Sequence, residues 1–371
     1  MTLFVLTFLS LYSLMHAFFY SRARVLLPKG RAFHLGFILF LALMVFAPVA
    51  TRLLEKSDHY TLARIVAHIG YPWFGYLFYT FLLFLLVGIV GVVFRLVNLA
   101  AGTELPVFTG RKTALCVLLV SLAIIVYGIF EARSLRVERL TFRTAKLPEG
   151  IERVRIAQIS DIHLGLLVGE GSIEPILDRV KAEAPDILVS TGDLVDGDMD
   201  RLGRLPALFG EVNPRFGKWA VTGNHEVYVG LADSIKAERE FGFTVLRGEA
   251  RVVADVINIV GVDDPAAGAP VDERLLLEKA RNGLFTLFLK HRPDAARESM
   301  GLYDLQLSGH THYGQLFPFR LFSEYIYPLQ NGPYFLEKGS ILYTSRGSAT
   351  WGPPCRVLAP PEITIIDIVR E

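Results

Sequence analysis

The chain has 371 residues, 52% of them hydrophobic, a net charge of +1 at pH 7 and a mean hydropathy of +0.39. That length allows more than one domain, and a hydropathy so high excludes an ordinary soluble protein. The near-zero net charge gives no global field to draw in nucleic acid, so no nucleic-acid partner is expected.

The apolar residues are concentrated before about Phe130, in four runs near Leu3–Tyr20, Phe33–Leu54, Pro72–Val97 and Ala114–Phe130. Each is close to the roughly 17–25 residues a helix needs to cross a bilayer. About four transmembrane helices are therefore expected over residues 1–130. The first run lacks a preceding basic segment, so it reads as a span and not as a cleaved signal peptide. His16, His34, His59 and His68 fall in or between these runs and read as interfacial or packed side chains.

Arg22, Arg24, Lys29 and Arg31 fill the first loop with no acid among them. The positive-inside rule puts that loop in the cytoplasm, which with four spans places both termini outside, and the basic third loop with Arg95, Arg111 and Lys112 agrees. A plasma (inner) membrane protein with an extracytoplasmic second domain is the expectation. The basic residues Arg133, Arg136, Arg139, Arg143 and Lys146 argue the other way, and make 131–150 read as a basic linker. Cys116 and Cys355 lie in such different contexts that no disulfide between them is expected.

From Arg153 the pattern changes to short apolar runs alternating with amphipathic ones. VRIAQIS (Val154–Ser160) reads as a strand, and Ser172 can cap a helix that places Ile173, Ile176, Leu177 and Val180 on one face before Pro185. DILVSTGD and KWAVTGN read as strands, Asp233–Phe241 as a helix ended by Gly242, and Val256–Val262 as a strand. A helix over Val271–Arg281 precedes strands at Phe285–Lys290 and Leu305–Ser308, and ILYTS and EITIIDIV are strand-like. Alternation of this kind implies an open sheet covered by helices.

Five of these strands break directly into polar side chains. The breaks are Asp161-Ile162-His163, Gly192-Asp193, Gly223-Asn224-His225-Glu226, His291, and Gly309-His310-Thr311-His312. Ligands bind beyond the carboxyl ends of strands in such sheets, so the five loops should meet. All five histidines after Glu131 sit at these breaks. Carboxylates, an amide and imidazoles without thiolate suit iron, manganese or zinc. Two imidazoles separated by one residue can approach two adjacent ions.

D-x-H, G-D, G-N-H-E, a lone His and G-H-x-H, in that order, resemble the calcineurin-like metallophosphoesterase family over about Ile151 to Glu371, and the spans resemble its membrane-anchored bacterial branch. The resemblance implies a domain at 151–371 with an α/β fold, a β-sandwich flanked by helices on both faces. It implies one metal on Asp161, His163, Asp193 and His312, and another on Asp193, Asn224, His291 and His310. His225 would stand beside the leaving group as proton donor or charge stabiliser. The implied activity is hydrolysis of a phosphate mono-, di- or pyrophosphate ester by metal-activated water with two divalent ions, manganese, iron or zinc. Attachment to a bilayer suggests a lipid-linked substrate.

Asp196 and Glu226 read either as orienting ligands or as turn caps. Arg292 reads as a surface ion pair, and Arg346, in a glycine-rich stretch, as a candidate substrate contact. No G-x-S-x-G, G-x-x-x-x-G-K-[ST] or H-E-x-x-H is present. The competing reading is a membrane sensor or scaffold that binds metal without turnover, which an intact ligand set disfavours.

Overall fold

The computed structural model describes residues 2–197, 203–268 and 271–371. It divides into two compact units, residues 1–130 with 352–355, and residues 131–351 with 356–371.

The first unit holds four helices over the four expected runs: α1 (Thr2–Ala23), α2 (Arg31–Lys56), α3 (Tyr60–Ala101) and α4 (Gly110–Ala132). Among the described residues, α2, α3 and α4 are long and apolar enough to cross a membrane. At about 1.5 Å per residue, the 42 residues of α3 make it much longer than one bilayer core. Tyr12, Phe19, Leu41 and Leu77 pack α1, α2 and α3 together. His16 is buried there, with Nδ1 on the Tyr12 carbonyl at 2.8 Å and Trp73 Nε1 donating to Nε2 at 3.0 Å.

The second unit runs β1 (Arg136–Thr144), β2 (Arg153–Ile159), α5 (Glu170–Ala182), β3 (Ile187–Ser190), α6 (Leu205–Gly210), β4 (Lys218–Ala220), α7 (Asn224–Val229), α8 (Leu231–Glu240), β5 (Phe243–Val245), β6 (Glu249–Val253), β7 (Ile257–Gly261), α9 (Glu273–Ala280), β8 (Phe285–Leu289), β9 (Leu305–Ser308), α10 (Phe319–Ile326), β10 (Gly332–Phe335), β11 (Ile341–Thr344) and β12 (Glu362–Arg370). The strands form two six-stranded sheets, β1-β12-β2-β3-β4-β5 and β10-β11-β9-β8-β7-β6, where the residue pattern alone suggested one open sheet. The α/β sandwich flanked by helices is thus present.

Alternation along the strands builds the layers. In β2, Val154 and Ile156 face the other sheet and meet Ile257, Leu287 and Leu305, while Ala157 and Ile159 face α5. Phe288 of β8 turns outward onto Leu277 of α9. Strands apolar on both faces are what a sheet covered on both sides requires. The helix expected after Ser172 starts earlier, with Gly169 at its N-cap. Residues 136–144 of the basic segment form β1, paired in parallel with β12 over its whole length.

Arg155 and Asp367 face each other across β2 and β12, and the guanidinium donates to both carboxylate oxygens at 2.8 and 2.9 Å. The Arg155 hydrogen bonds hold the Asp367 carboxyl below the usual carboxylate range. A depressed carboxyl stabilises the fold above its unfolded pKa and loses that contribution as pH falls through the folded value. Asp367→Asn is therefore expected to cost under about 1 kcal/mol at pH 7, discounted for solvent exposure. The deficit should close as pH drops below about 4, read as the difference between parent and variant thermal midpoints.

Candidate metal centre

The five polar breaks lie at the carboxyl ends of β2, β3, β4, β8 and β9. β2, β3 and β4 run parallel in one sheet, and β8 and β9 run parallel in the other. The sandwich therefore delivers all five loops to one edge. Asp161, His163 and His312 bring ligand atoms within 4.8 Å of one another, as do His163, Asp193 and His225, and Asp193, His291 and His310. His163 and Asp193 each belong to two of these groups, so the three form one continuous cluster.

Close approach depends on glycine. A Cβ on Gly223 would overlap the Asp193 carboxylate, and one on Gly309 would overlap Ser160 Oγ and Asp161 Oδ2. A Cβ on Gly192 would come 2.6 Å from His291 Nδ1.

Several ligand side chains are aimed by neighbours. The Asp161 carboxylate accepts from Ser160 Oγ at 2.5 Å and from the His310 amide at 3.0 and 3.1 Å. Asp193 Oδ1 accepts from the His225 amide at 2.9 Å. Buried Glu226 accepts from the Asp193, Val195 and Gly223 amides, tying the β3 and β4 loops together. His291 Nδ1 meets the Thr191 carbonyl at 2.7 Å, which makes Nδ1 the donor and turns Nε2 inward, 3.2 Å from Asp193 Oδ2.

The donor set fits cations. His163 Nε2 and His312 Nε2 are opposed at 3.0 Å, and His310 Nδ1 and His291 Nε2 at 3.1 Å, so nitrogen lone pairs converge in pairs. Asn224 Oδ1 is buried with no hydrogen-bond donor, in a protein interior where such oxygens are nearly always satisfied. An ion supplies what that oxygen lacks.

The electrostatics of His163, His310 and His312 agree with this, whereas His291 is shifted the other way. Burial lowers His163 to about 4 and His310 to about 3, keeping both rings neutral with lone pairs available. Burial likewise holds His312 well below its ordinary value, reinforced by His163 and Arg356. Burial raises Asp161 to about 6, because its charge has too little compensation there. Burial would lower His291, but Asp193 and Asp161 outweigh it and hold that ring up at about 10.

His225 is placed differently from the other histidines. Its Nδ1 lies 2.7 Å from Asp196 Oδ1, and its ring contacts Tyr228 and Trp351, both exposed. Gln315 holds Trp351 through both its backbone N–H and C=O, at 2.9 Å each. Burial opposes protonation of His225, yet the Asp196 hydrogen bond raises its pKa overall.

Asp161, His163, Asp193, His225, His291, His310 and His312 lie in this cluster, Asn224 precedes His225 at the start of α7, and Arg346 lies outside the cluster. Its guanidinium is committed to Glu138 at 2.5 Å, Glu362 at 2.6 Å and the Pro360 carbonyl. Arg292 pairs with buried Asp264 through two hydrogen bonds. Two contributors carried no sequence signal. Tyr327 Oη sits 3.0 Å from His310 Nε2, and the guanidinium of fully buried Arg356 lies 3.2 Å from His312 Nδ1.

Residues 154–314 match the family described as calcineurin-like phosphoesterase. An uncharacterized metallophosphoesterase of Aquifex aeolicus is 42% identical over 252 residues, which are 65% of this chain and 95% of that protein. The chain belongs to the calcineurin-like metallophosphoesterase family. A Danio rerio transmembrane protein with metallophosphoesterase domain is 32% identical over 297 residues, 73% of this chain and 66% of that protein. The crystal structure of a dimetal phosphatase from Danio rerio aligns with a TM-score of 0.33 and 11% identity, over 53% of this chain and 88% of that one. As a calcineurin-like metallophosphoesterase, the chain is a hydrolase of phosphoric esters whose chemistry uses two divalent metal ions.

Two substitutions outside the cluster test its construction. Tyr327→Phe is expected to weaken metal binding by roughly 10–100-fold, the usual effect of losing a partner that orients a ligand. Gly223→Ala is expected to do at least as much, by displacing the Asp193 carboxylate. Metal titration of each purified variant against the parent reads both.

Proposed function

We propose that this protein is a membrane-anchored dinuclear phosphoesterase. In this reading the helices of residues 1–130 hold the catalytic residues 131–371 at a plasma membrane, on the extracytoplasmic side, where they hydrolyse a lipid-linked phosphoester. The observation that carries the hydrolase reading is the convergence of Asp161, His163, Asp193, His291, His310 and His312 with the unsatisfied oxygen of Asn224. Asp161, His163, Asp193 and His312 would hold one cation. Asp193, Asn224, His291 and His310 would hold the second, with Asp193 shared.

Such a pair of cations, when bound, neutralises phosphoryl oxygens and acidifies water. The chain's own residues do the rest. Asp193, between the two ligand groups, fixes their separation. Asp196 occupies Nδ1 of His225, so Nε2 is the nitrogen free to exchange a proton with substrate. The Asp196 hydrogen bond raises the His225 pKa against burial, favouring the protonated ring. Water oxygen bonds to phosphorus, the ester P–O bond breaks, and the departing oxygen takes the His225 proton. Trp351 and Tyr228, exposed and in contact with that ring, would give the leaving group an apolar wall.

The orientation rests on Arg22, Arg24, Lys29 and Arg31 in the first loop, and the lipid-linked substrate on the helices α2, α3 and α4, long and apolar enough to cross a membrane. A reporter active only outside the cytoplasm, fused after Glu371, should be active; silence would reverse the orientation.

The purified protein supplied with manganese or zinc should hydrolyse bis-p-nitrophenyl phosphate. Asp193→Ala should abolish this turnover. His225→Ala should lower kcat by about 10²–10⁴-fold while two metals per chain are retained. Equal turnover in parent and Asp193→Ala would remove the proposal.

A further inference from the structure

Helix α10 (Phe319–Ile326) is built inside out. Its one buried side chain is Ser323, which donates to Gln330 Oε1 at 2.5 Å. Its large apolar side chains face outward: Phe319, Leu321, Phe322, Tyr325 and Ile326 are all exposed, Leu321 at 60% and Tyr325 at 87%. A soluble domain normally buries the apolar side of a surface helix and wets the polar side. Contiguous exposure of this kind marks a contact surface.

The same helix is fastened to the metal centre at both ends. At its start, Gly314, two residues after His312, packs so tightly on the Arg320 backbone that a Cβ could not fit. At its C-cap, Tyr327 places Oη 3.0 Å from His310 Nε2. Arg320 lays its guanidinium over the rings of Tyr313 and Phe317, at 5.6 and 4.9 Å, which keeps its charge off the apolar face.

We propose that the outward face of α10 lies in the lipid–water interface of the bilayer, so that phosphoesters carried by membrane lipids reach the metal centre without leaving the membrane. Three observations select a bilayer as the occupant. Among the described residues three helices are long and apolar enough to cross a membrane, which would keep a bilayer near. Residues 133–135 alone join α4 to β1, a joint of about 10 Å at full extension. The exposed set of Phe, Leu, Ile and Tyr is the composition with which interfacial helices enter the headgroup boundary. What the face delivers rests on the phosphoesterase reading above; that it contacts lipid does not.

The test uses the full chain in phosphatidylcholine nanodiscs. The fluorescence added by Tyr325→Trp, relative to the parent, is expected to fall at least twofold in discs of brominated phosphatidylcholine and to resist aqueous acrylamide. Quenching by acrylamide with no effect of bromine would overturn the contact. Protection from both would overturn it too, because a protein surface, whether a second copy or the chain's own helices, would then cover the face. In parallel, Leu321→Ser with Phe322→Ser should lower turnover of disc-borne hexadecyl p-nitrophenyl phosphate about tenfold and leave bis-p-nitrophenyl phosphate within twofold. An equal effect on both esters, or a parent that cleaves only the soluble one, would overturn delivery. A parent that cleaves neither would refute the phosphoesterase reading, while the bromine result would still judge the surface.

Discussion

The Asp193 carboxylate is almost wholly buried, 3.2 Å from His291 Nε2 and 3.9 Å from His163 Nε2. Taking a charge that far out of water costs on the order of several kcal/mol. The surrounding structure is arranged to meet that cost. Glu226 fixes three amides of the neighbouring loops, the His225 amide caps one carboxylate oxygen, and a bare glycine leaves the space. The two sheets matter here because β3 belongs to one and β8 to the other, so His291 reaches Asp193 only across the sandwich.

Backbone conformation at the site follows from the same crowding. Asp161, His163, Asp193, His310 and His312 all have positive φ, between 48° and 74°. Residues with a Cβ seldom sit there, and each such position is held against a cost of about 1 kcal/mol or more. Five of them among the proposed ligands show how firmly the hydrogen bonds of these loops fix the backbone. The exposed elements that flank them, Trp351 and α10, are tied to the same loops through Gln315 and Tyr327.

The strands that feed the site were legible because each combines a full apolar run with an abrupt polar end. The two-sheet arrangement was not, since alternation says which faces are apolar but not which strands pair. β1 was hidden by its arginines: as an edge strand it needs only one side paired, so RVERLTFRT reads as a charged linker. β5 and β10, at three and four residues, are too short to show a period. The partners of Arg346 carried no local signal, because the two glutamates it pairs with come from β1 and β12, distant in sequence from each other. Tyr327 and Arg356 act through single contacts to histidines 17 and 44 residues away, which no local pattern encodes.

One consequence of the strand order concerns biosynthesis. β12 lies between β1 and β2, so both keep an open hydrogen-bonding edge until residues 362–370 have left the ribosome. By then every membrane helix has long since been made. The nascent domain thus waits half-zipped, with strand borders open to mispairing with a neighbouring polypeptide. The arginines of β1 then serve as gatekeepers, keeping that border soluble during the delay.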